Sequence, residues 1–172
     1  TVLHGISSSI NTIAVNVLDR IGLEYSFDFA KNKFGLEGLL ESEWTSAGKE
    51  LSDIGYSPLA LGALTYGCTV RDMASAYATF PNDGVIREDR TFTKVYDSQG
   101  NLIIDNTQDS ERILSERATN YMNYCLREVI RSGTATYCNM SATMVCGKTG
   151  TSSGNQDRWF VGYTEYYTAA VW

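Results

Sequence analysis

Histidine occurs once in this sequence, and none of its four cysteines is spaced as C-x-x-C. His4 with Cys68, Cys125, Cys138 and Cys146 makes no usual zinc set, so the residue supply argues against a metal site. A lone histidine so close to residue 1 also gives little support to a His-dependent catalytic triad. Basic clusters are missing too. With a net charge of −6 and scattered Lys and Arg, the chain has no positive face for nucleic acid or an anionic membrane, and neither is expected as a partner. No apolar run approaches the roughly 20 residues of a membrane-spanning helix. The start, Thr1-Val2-Leu3-His4, has no initiator Met and no leader pattern, so the expectation is a segment cut from a longer chain. Repeats and Pro- or Gly-rich linkers are absent, which leaves no obvious point at which to divide it.

What is present is ordinary globular material. A length of 172 residues suits one domain, and 43% hydrophobic with 20% charged residues supplies enough apolar mass for a core. Because the overall field is negative, any anionic substrate must be held by local groups. Cys125 falls on the apolar face of a predicted helix and Cys146 in an apolar strand, which favours buried free thiols. Cys138, in a loop, is the member expected in any bridge.

Hydrophobic spacing predicts a helix over about Ser9 to Ile21, stopped by Gly22, and a shorter one around Tyr25 to Phe34. Residues 36 to 68, rich in Gly, Ser and Thr, read as loop. Thr69-Val70-Arg71-Asp72 has the form of a capping box opening a helix that Pro81-Asn82-Asp83-Gly84 ends. Phe92 to Tyr96 and Leu102 to Ile104 flank Asp97-Ser98-Gln99-Gly100-Asn101 as a hairpin. Ser115 caps a long amphipathic helix that ends before Gly133. Three strands are then expected, at about Thr143 to Thr149, Arg158 to Thr164 and Tyr167 to Trp172, the last two paired antiparallel across a short turn.

Chemistry concentrates near the C-terminal end. Cys146-Gly147-Lys148-Thr149-Gly150-Thr151 places a cation and two hydroxyls around a glycine on a strand, a plausible grip for a carboxylate. Lys-Thr-Gly is one signature of the serine β-lactamases and penicillin-binding proteins. Ser9-Ile10-Asn11-Thr12-Ile13-Ala14-Val15 resembles the Ser-x-Asn motif of the same proteins and its following helix. Leu59-Ala60-Leu61-Gly62, Ala76-Tyr77-Ala78-Thr79-Phe80 and Asn82-Asp83-Gly84-Val85 resemble their Leu-Gly and Ala-Tyr-Ala-x-Phe-x-Asn-x-Gly block. Asp157, Trp159-Phe160 and Gly162-Tyr163 resemble the strand that follows the third motif. In this order, and covering nearly the whole chain, the set resembles the transpeptidase domain of penicillin-binding proteins, most of all the class A bifunctional peptidoglycan synthases.

The resemblance implies an α/β (α+β) fold, a mainly antiparallel sheet covered by helices. Residues 1–172 would be the C-terminal part of a single transpeptidase domain, without its N-terminal strands and nucleophile helix. It implies a serine D,D-transpeptidase that crosslinks peptidoglycan stem peptides ending in D-Ala-D-Ala and is acylated by β-lactam antibiotics. No cofactor and no metal is implied. The location implied is the extracytoplasmic face of a bacterial membrane, with the anchor outside this chain and other cell-wall synthesis proteins as further partners. The catalytic residues implied are Ser9, Asn11 and Lys148, and the substrate-binding residues Thr149, Gly150 and Thr151. Family members carry a nucleophilic Ser-x-x-Lys upstream of Ser-x-Asn, and only eight residues precede Ser9. Ser46-Ala47-Gly48-Lys49 fits that motif by letter, yet it follows Ser-x-Asn, holds a helix-weakening Gly and precedes no apolar face, so it reads as loop. The chain alone is expected to be inactive.

Blander readings stand beside these. Ser9 also suits a helix N-cap, Asn11 a first-turn surface residue, and Lys148 with its threonines a solvated strand edge. Trp159 and Phe160 read as core, and Asp157 as either a cation's partner or a strand start. A non-catalytic stem-peptide-binding domain and a D,D-carboxypeptidase or β-lactamase relative remain as alternative functions.

Overall fold

A computed structural model describes residues 1–172. The chain opens with α1 (Val2–Ser7), α2 (Asn11–Ile21) and α3 (Leu23–Asp28), which continues as a π-helical turn over Phe29–Lys33. A small hairpin of β1 (Glu43–Trp44) and β2 (Glu50–Leu51) follows, then α4 (Tyr56–Leu61) and α5 (Val70–Ala78). The middle of the chain holds β3 (Val85–Arg87), β4 (Lys94–Tyr96), β5 (Leu102–Asp105) and β6 (Ser110–Arg112). The long helix α6 (Glu116–Arg131) leads to β7 (Cys146–Thr151), β8 (Arg158–Tyr163) and β9 (Thr168–Val171). Every strand pair is antiparallel, and β7, β8 and β9 form one sheet in chain order with β7 at its edge.

Alternation along β8 sorts the core. Tyr163, on one face, joins Phe80, Leu126 and Cys146 in one buried cluster. Phe160, on the other face, packs with Val129, Ile130 and Ala135. Its ring also covers the Gly147–Gly162 cross-strand pair, where a Cβ at either glycine would press into the ring. These contacts fix β7 and β8 against α6, and thereby fix where Lys148 stands.

Several expectations hold locally. Thr69 and Asp72 form a reciprocal capping box, and Ser115 accepts from the Ala118 N–H to start α6. All four cysteines are free, and burial raises the Cys125 and Cys146 thiols above their ordinary range. Ser46 and Lys49 stand at the turn of the β1–β2 hairpin, as the loop reading anticipates.

Other expectations are corrected. The helix placed at Ser9 to Ile21 is present as α2 but starts at Asn11, because Ser9 takes φ 55°, a left-handed conformation; the short α1 before it has no counterpart among the sequence expectations. The region 36–68 is not all loop. It holds α4, whose Pro58 falls in the first turn, where a missing N–H costs nothing, and which ends at Gly62 in the left-handed region. The pairing of β3 with β6, bracketing the β4–β5 hairpin, has no counterpart among the sequence expectations. Val161 is buried, whereas Val171 is 62% exposed.

Within the 36–68 region, the Asp53 carboxylate is fully buried and accepts three hydrogen bonds. These come from the Leu40 N–H at 2.9 Å and from the Thr65 N–H and hydroxyl at 2.8 Å each. Asp53 thus ties residues 40 and 65 together behind the wall that faces β7.

Candidate active site

Lys148 lies mid-strand in β7, opposite Val161. Its ammonium donates to the Ser9 hydroxyl at 2.8 Å and to the Thr149 carbonyl at 2.8 Å. Ser9 and Lys148 are 139 residues apart in sequence, so this contact is made by the fold and not by local chain geometry. Burial holds the Lys148 pKa below its ordinary 10.5, because a half-desolvated ammonium is disfavoured relative to the neutral amine.

The turn that presents Ser9 is built from backbone. Ile10 N–H donates to the Gly5 carbonyl at 2.8 Å, closing the break between α1 and α2, and the Ser8 hydroxyl lies 3.2 Å from His4 Nδ1. The N-cap of α2 is Ile10, with no side-chain bond, so the N-cap alternative for Ser9 is not what the chain adopts. Asn11 is the first residue of α2, exposed and two positions beyond Ser9.

Thr149 and Thr151 continue β7 past Lys148, and Gly150 lies between them opposite Trp159. A Cβ on Gly150 would approach the Trp159 Cβ at 3.2 Å, so a larger residue here crowds the neighbouring strand. As β7 is the outer strand of its sheet, its other edge has unpaired backbone available to an extended peptide. Beside it opens a cleft of about 720 Å³ with Lys148 to Ser152 along one side and Leu59, Leu64 and Tyr66 on the facing wall. Lys148 is the only cation in its lining. In a chain of net charge −6, this is the local group on which an anion's binding would rest.

Three residues stand differently from what sequence reasoning expects. Phe160 is core as expected, but Trp159 lines the cleft. Asp157 neither pairs with a cation nor merely starts β8, since it accepts from the Trp172 indole N–H at 2.9 Å. Thr134 is a residue that sequence reasoning misses. It follows α6, its N–H donates to the Ser7 carbonyl at 3.2 Å, and its hydroxyl lies 2.7 Å from that of Thr149. The preceding Gly133 passes so close to α1 that a Cβ there would overlap the Ser7 carbonyl oxygen. The only hint in the sequence is a Gly-Thr pair directly after a long helix, a pattern too common to single out. No group of three His, Cys, Asp or Glu side chains comes together to hold a metal ion.

Residues 1–172 match the family described as penicillin binding protein transpeptidase domain. The chain is 35% identical over 173 residues to penicillin-binding protein 1A of Clostridium botulinum, covering 99% of this chain and 20% of that one. It is 33% identical over 165 residues to penicillin-binding protein 4 of Bacillus subtilis, covering 96% of this chain and 24% of that one. It therefore spans about a fifth to a quarter of the length of these curated relatives. Among solved structures, penicillin-binding protein 1A of Haemophilus influenzae superposes with TM-score 0.76 at 17% identity, over 98% of this chain and 29% of that one. Penicillin-binding protein A of M. tuberculosis, solved as an imipenem acyl-enzyme complex, superposes with TM-score 0.70 at 14% identity, over 99% of this chain and 40% of that one. The chain belongs to the penicillin-binding protein transpeptidase domain family.

Proposed function

We propose that this chain supplies the Ser-x-Asn and Lys-Thr-Gly walls of a serine D,D-transpeptidase, which crosslinks peptidoglycan stem peptides ending in D-Ala-D-Ala through an acyl-enzyme and is acylated by β-lactams. The observation that carries the proposal is the 2.8 Å contact between Lys148 and Ser9.

Acyl transfer needs a nucleophile, a proton path, donors for the oxyanion and a grip on the substrate. The Ser9 hydroxyl, held by the Lys148 ammonium, would carry a proton between the attacking serine's partner and the leaving amine. Asn11, with a carbonyl and an amide on one side chain, would bond both the catalytic lysine of Ser-x-x-Lys and the substrate amide. Lys148, Thr149 and Thr151 would hold the terminal carboxylate of the stem peptide or the β-lactam, and the acyl donor's backbone would lie along the free edge of β7 past Gly150. The Thr151 N–H would be one of two oxyanion donors, and removing such a donor lowers the rate on the order of 100-fold.

The nucleophile is assigned to a Ser-x-x-Lys outside residues 1–172, because the one match within them, Ser46 to Lys49, follows Ser-x-Asn and forms a hairpin turn in place of a helix. The proposed location is the extracytoplasmic face of a bacterial membrane, with the anchor in another part of the protein. Other cell-wall synthesis proteins are its expected neighbours there.

Labelling with fluorescent penicillin tests this reading. The whole protein carrying this chain should be labelled covalently and should lose labelling on Lys148→Ala, whereas residues 1–172 alone should not be labelled. Labelling of the isolated chain, or a whole protein that never reacts, contradicts the assignment. A protein that binds stem peptides reversibly without ever being acylated would be the non-catalytic binding domain instead.

A further inference from the structure

We infer that Thr134 is a positioning residue of this site, orienting the Thr149 hydroxyl toward a bound carboxylate while its backbone ties the Ser9 turn to β7. The inference rests on the transpeptidase reading, and it assigns a role to a residue that neither the Ser-x-Asn nor the Lys-Thr-Gly motif includes.

The geometry is a two-sided bridge. On one side the Thr134 N–H donates to the Ser7 carbonyl at 3.2 Å, two residues before Ser9. On the other, the Thr134 and Thr149 hydroxyls are 2.7 Å apart. Thr134 is held for this by its neighbours, since the Ala135 N–H returns to the Val129 carbonyl at 3.1 Å and Gly133 is wedged between Ser7 and α6. The loop therefore touches both halves of the site at points next to Ser9 and Lys148.

A hydroxyl has one proton and two lone pairs. Between two free threonines either oxygen can donate, and the Thr149 proton has no fixed direction. A carboxylate accepts only, so once it lies beside Thr149 the proton of Thr149 must point at it. Thr149 is then left to accept, and Thr134 is the donor within reach. In the bound state Thr134 thus gives its proton to Thr149 and Thr149 gives its own to the anion, with Lys148 supplying the charge. The chain polarises Thr149 and removes the rotational freedom it would otherwise lose on binding. Thr134 itself touches neither the acyl carbon nor the leaving group.

The test uses the whole protein that carries this chain, with fluorescent penicillin as the free acid and as its carboxylate methyl ester. Thr134→Val keeps the shape and the N–H bond to Ser7 but removes the hydroxyl, and Thr134→Ser keeps the hydroxyl. Thr134→Val should weaken the pre-covalent complex with the free acid about tenfold, as loss of a hydrogen bond to a charge-holding group does. The limiting acylation rate should change little, and the ester should react alike with wild type and variant. Thr134→Ser should restore the free-acid affinity, and Thr134→Val should add nothing once Thr149→Val is present. Equal affinity of wild type and Thr134→Val for the free acid overturns the inference, as does an equal loss for acid and ester. A wild-type protein that is not labelled at all overturns the transpeptidase reading and this inference with it. Should Thr134→Val fail to fold, Thr134→Ser paired with Thr134→Cys gives the same comparison with a weaker donor.

Discussion

Gly133→Ala adds one methyl group 15 residues upstream of Lys148 and should nonetheless disable the site. Gly133 is not among the positive-φ residues, so alanine can adopt its backbone conformation and the penalty is steric. The added Cβ would overlap the Ser7 carbonyl oxygen and meet the Val129 Cα at 2.8 Å. Both obstacles are backbone, so no side chain can swing aside, and the end of α1 must part from α6 by roughly half an ångström or more. The Thr134 N–H bond to Ser7 is already 3.2 Å long, close to the limit at which such a bond holds, and would break. The Ser9 turn would then be free to move off Lys148. Overpacking of this kind costs about 1–3 kcal/mol of stability, and misplacing a catalytic group by about 1 Å lowers a rate on the order of 100-fold. The assay is the second-order rate of acylation by fluorescent penicillin in the whole protein, with the melting transition recorded alongside. A variant that acylates within twofold of wild type and melts at the same temperature would refute the claim that the Gly133–Thr134 loop holds the two motifs in register.

Because desolvation lowers the Lys148 pKa from 10.5, its charge should be lost at a lower pH than that of an exposed lysine, and the alkaline limb of the acylation profile should fall below 10.5. Between the lowered value and 10.5 the unfolded chain binds more protons than the native one, so this residue's contribution to stability rises with pH in that window. Lys148→Arg, which stays charged, should shift the limb upward even where the rate is lower, and an unmoved limb would contradict the role of the cation. Asp53→Asn should destabilise by about 2 kcal/mol, because an amide nitrogen would face one of the three buried donors that the carboxylate satisfies. The melting temperature should drop by about 5 °C, and no change would mean that the 36–68 wall does not depend on this carboxylate.

Elements with a strong local signal are legible in the amino-acid order alone. The 16-residue α6 declares itself by its apolar face and the Ser115 cap, α5 by its capping box, and the β4–β5 hairpin by Asp97 and Gly100 at its turn. The six-residue α4 and the three-residue strands β3 and β6 are too short to show a period, and their positions depend on Asp53 and on pairing across the hairpin. The six-residue α1 is likewise too short to show a period, and the start of α2 at Asn11 instead of Ser9 is set by the left-handed Ser9 and the bond from the Ile10 N–H to the Gly5 carbonyl. The motif residues of the candidate site can be named from spacing, but their convergence cannot, since it is made by Phe160 over the glycine pair and by the loop after α6. Trp159 and Phe160 show the same limit. Alternation sends them to opposite faces, both faces of β8 carry core, and only the tertiary packing decides that Trp159, at the start of its face, lines the cleft while Phe160 packs on Val129 and Ile130.

The account stands on the coupling of Ser9 to Lys148, and a double-mutant cycle of Ser9→Ala and Lys148→Met on the penicillin acylation rate measures it. If the 2.8 Å contact operates in the reaction, the two losses should fail to add by about 1–2 kcal/mol, so that the double variant is scarcely slower than Lys148→Met alone. Losses that simply add would mean that the two side chains work independently, and would contradict the shared site.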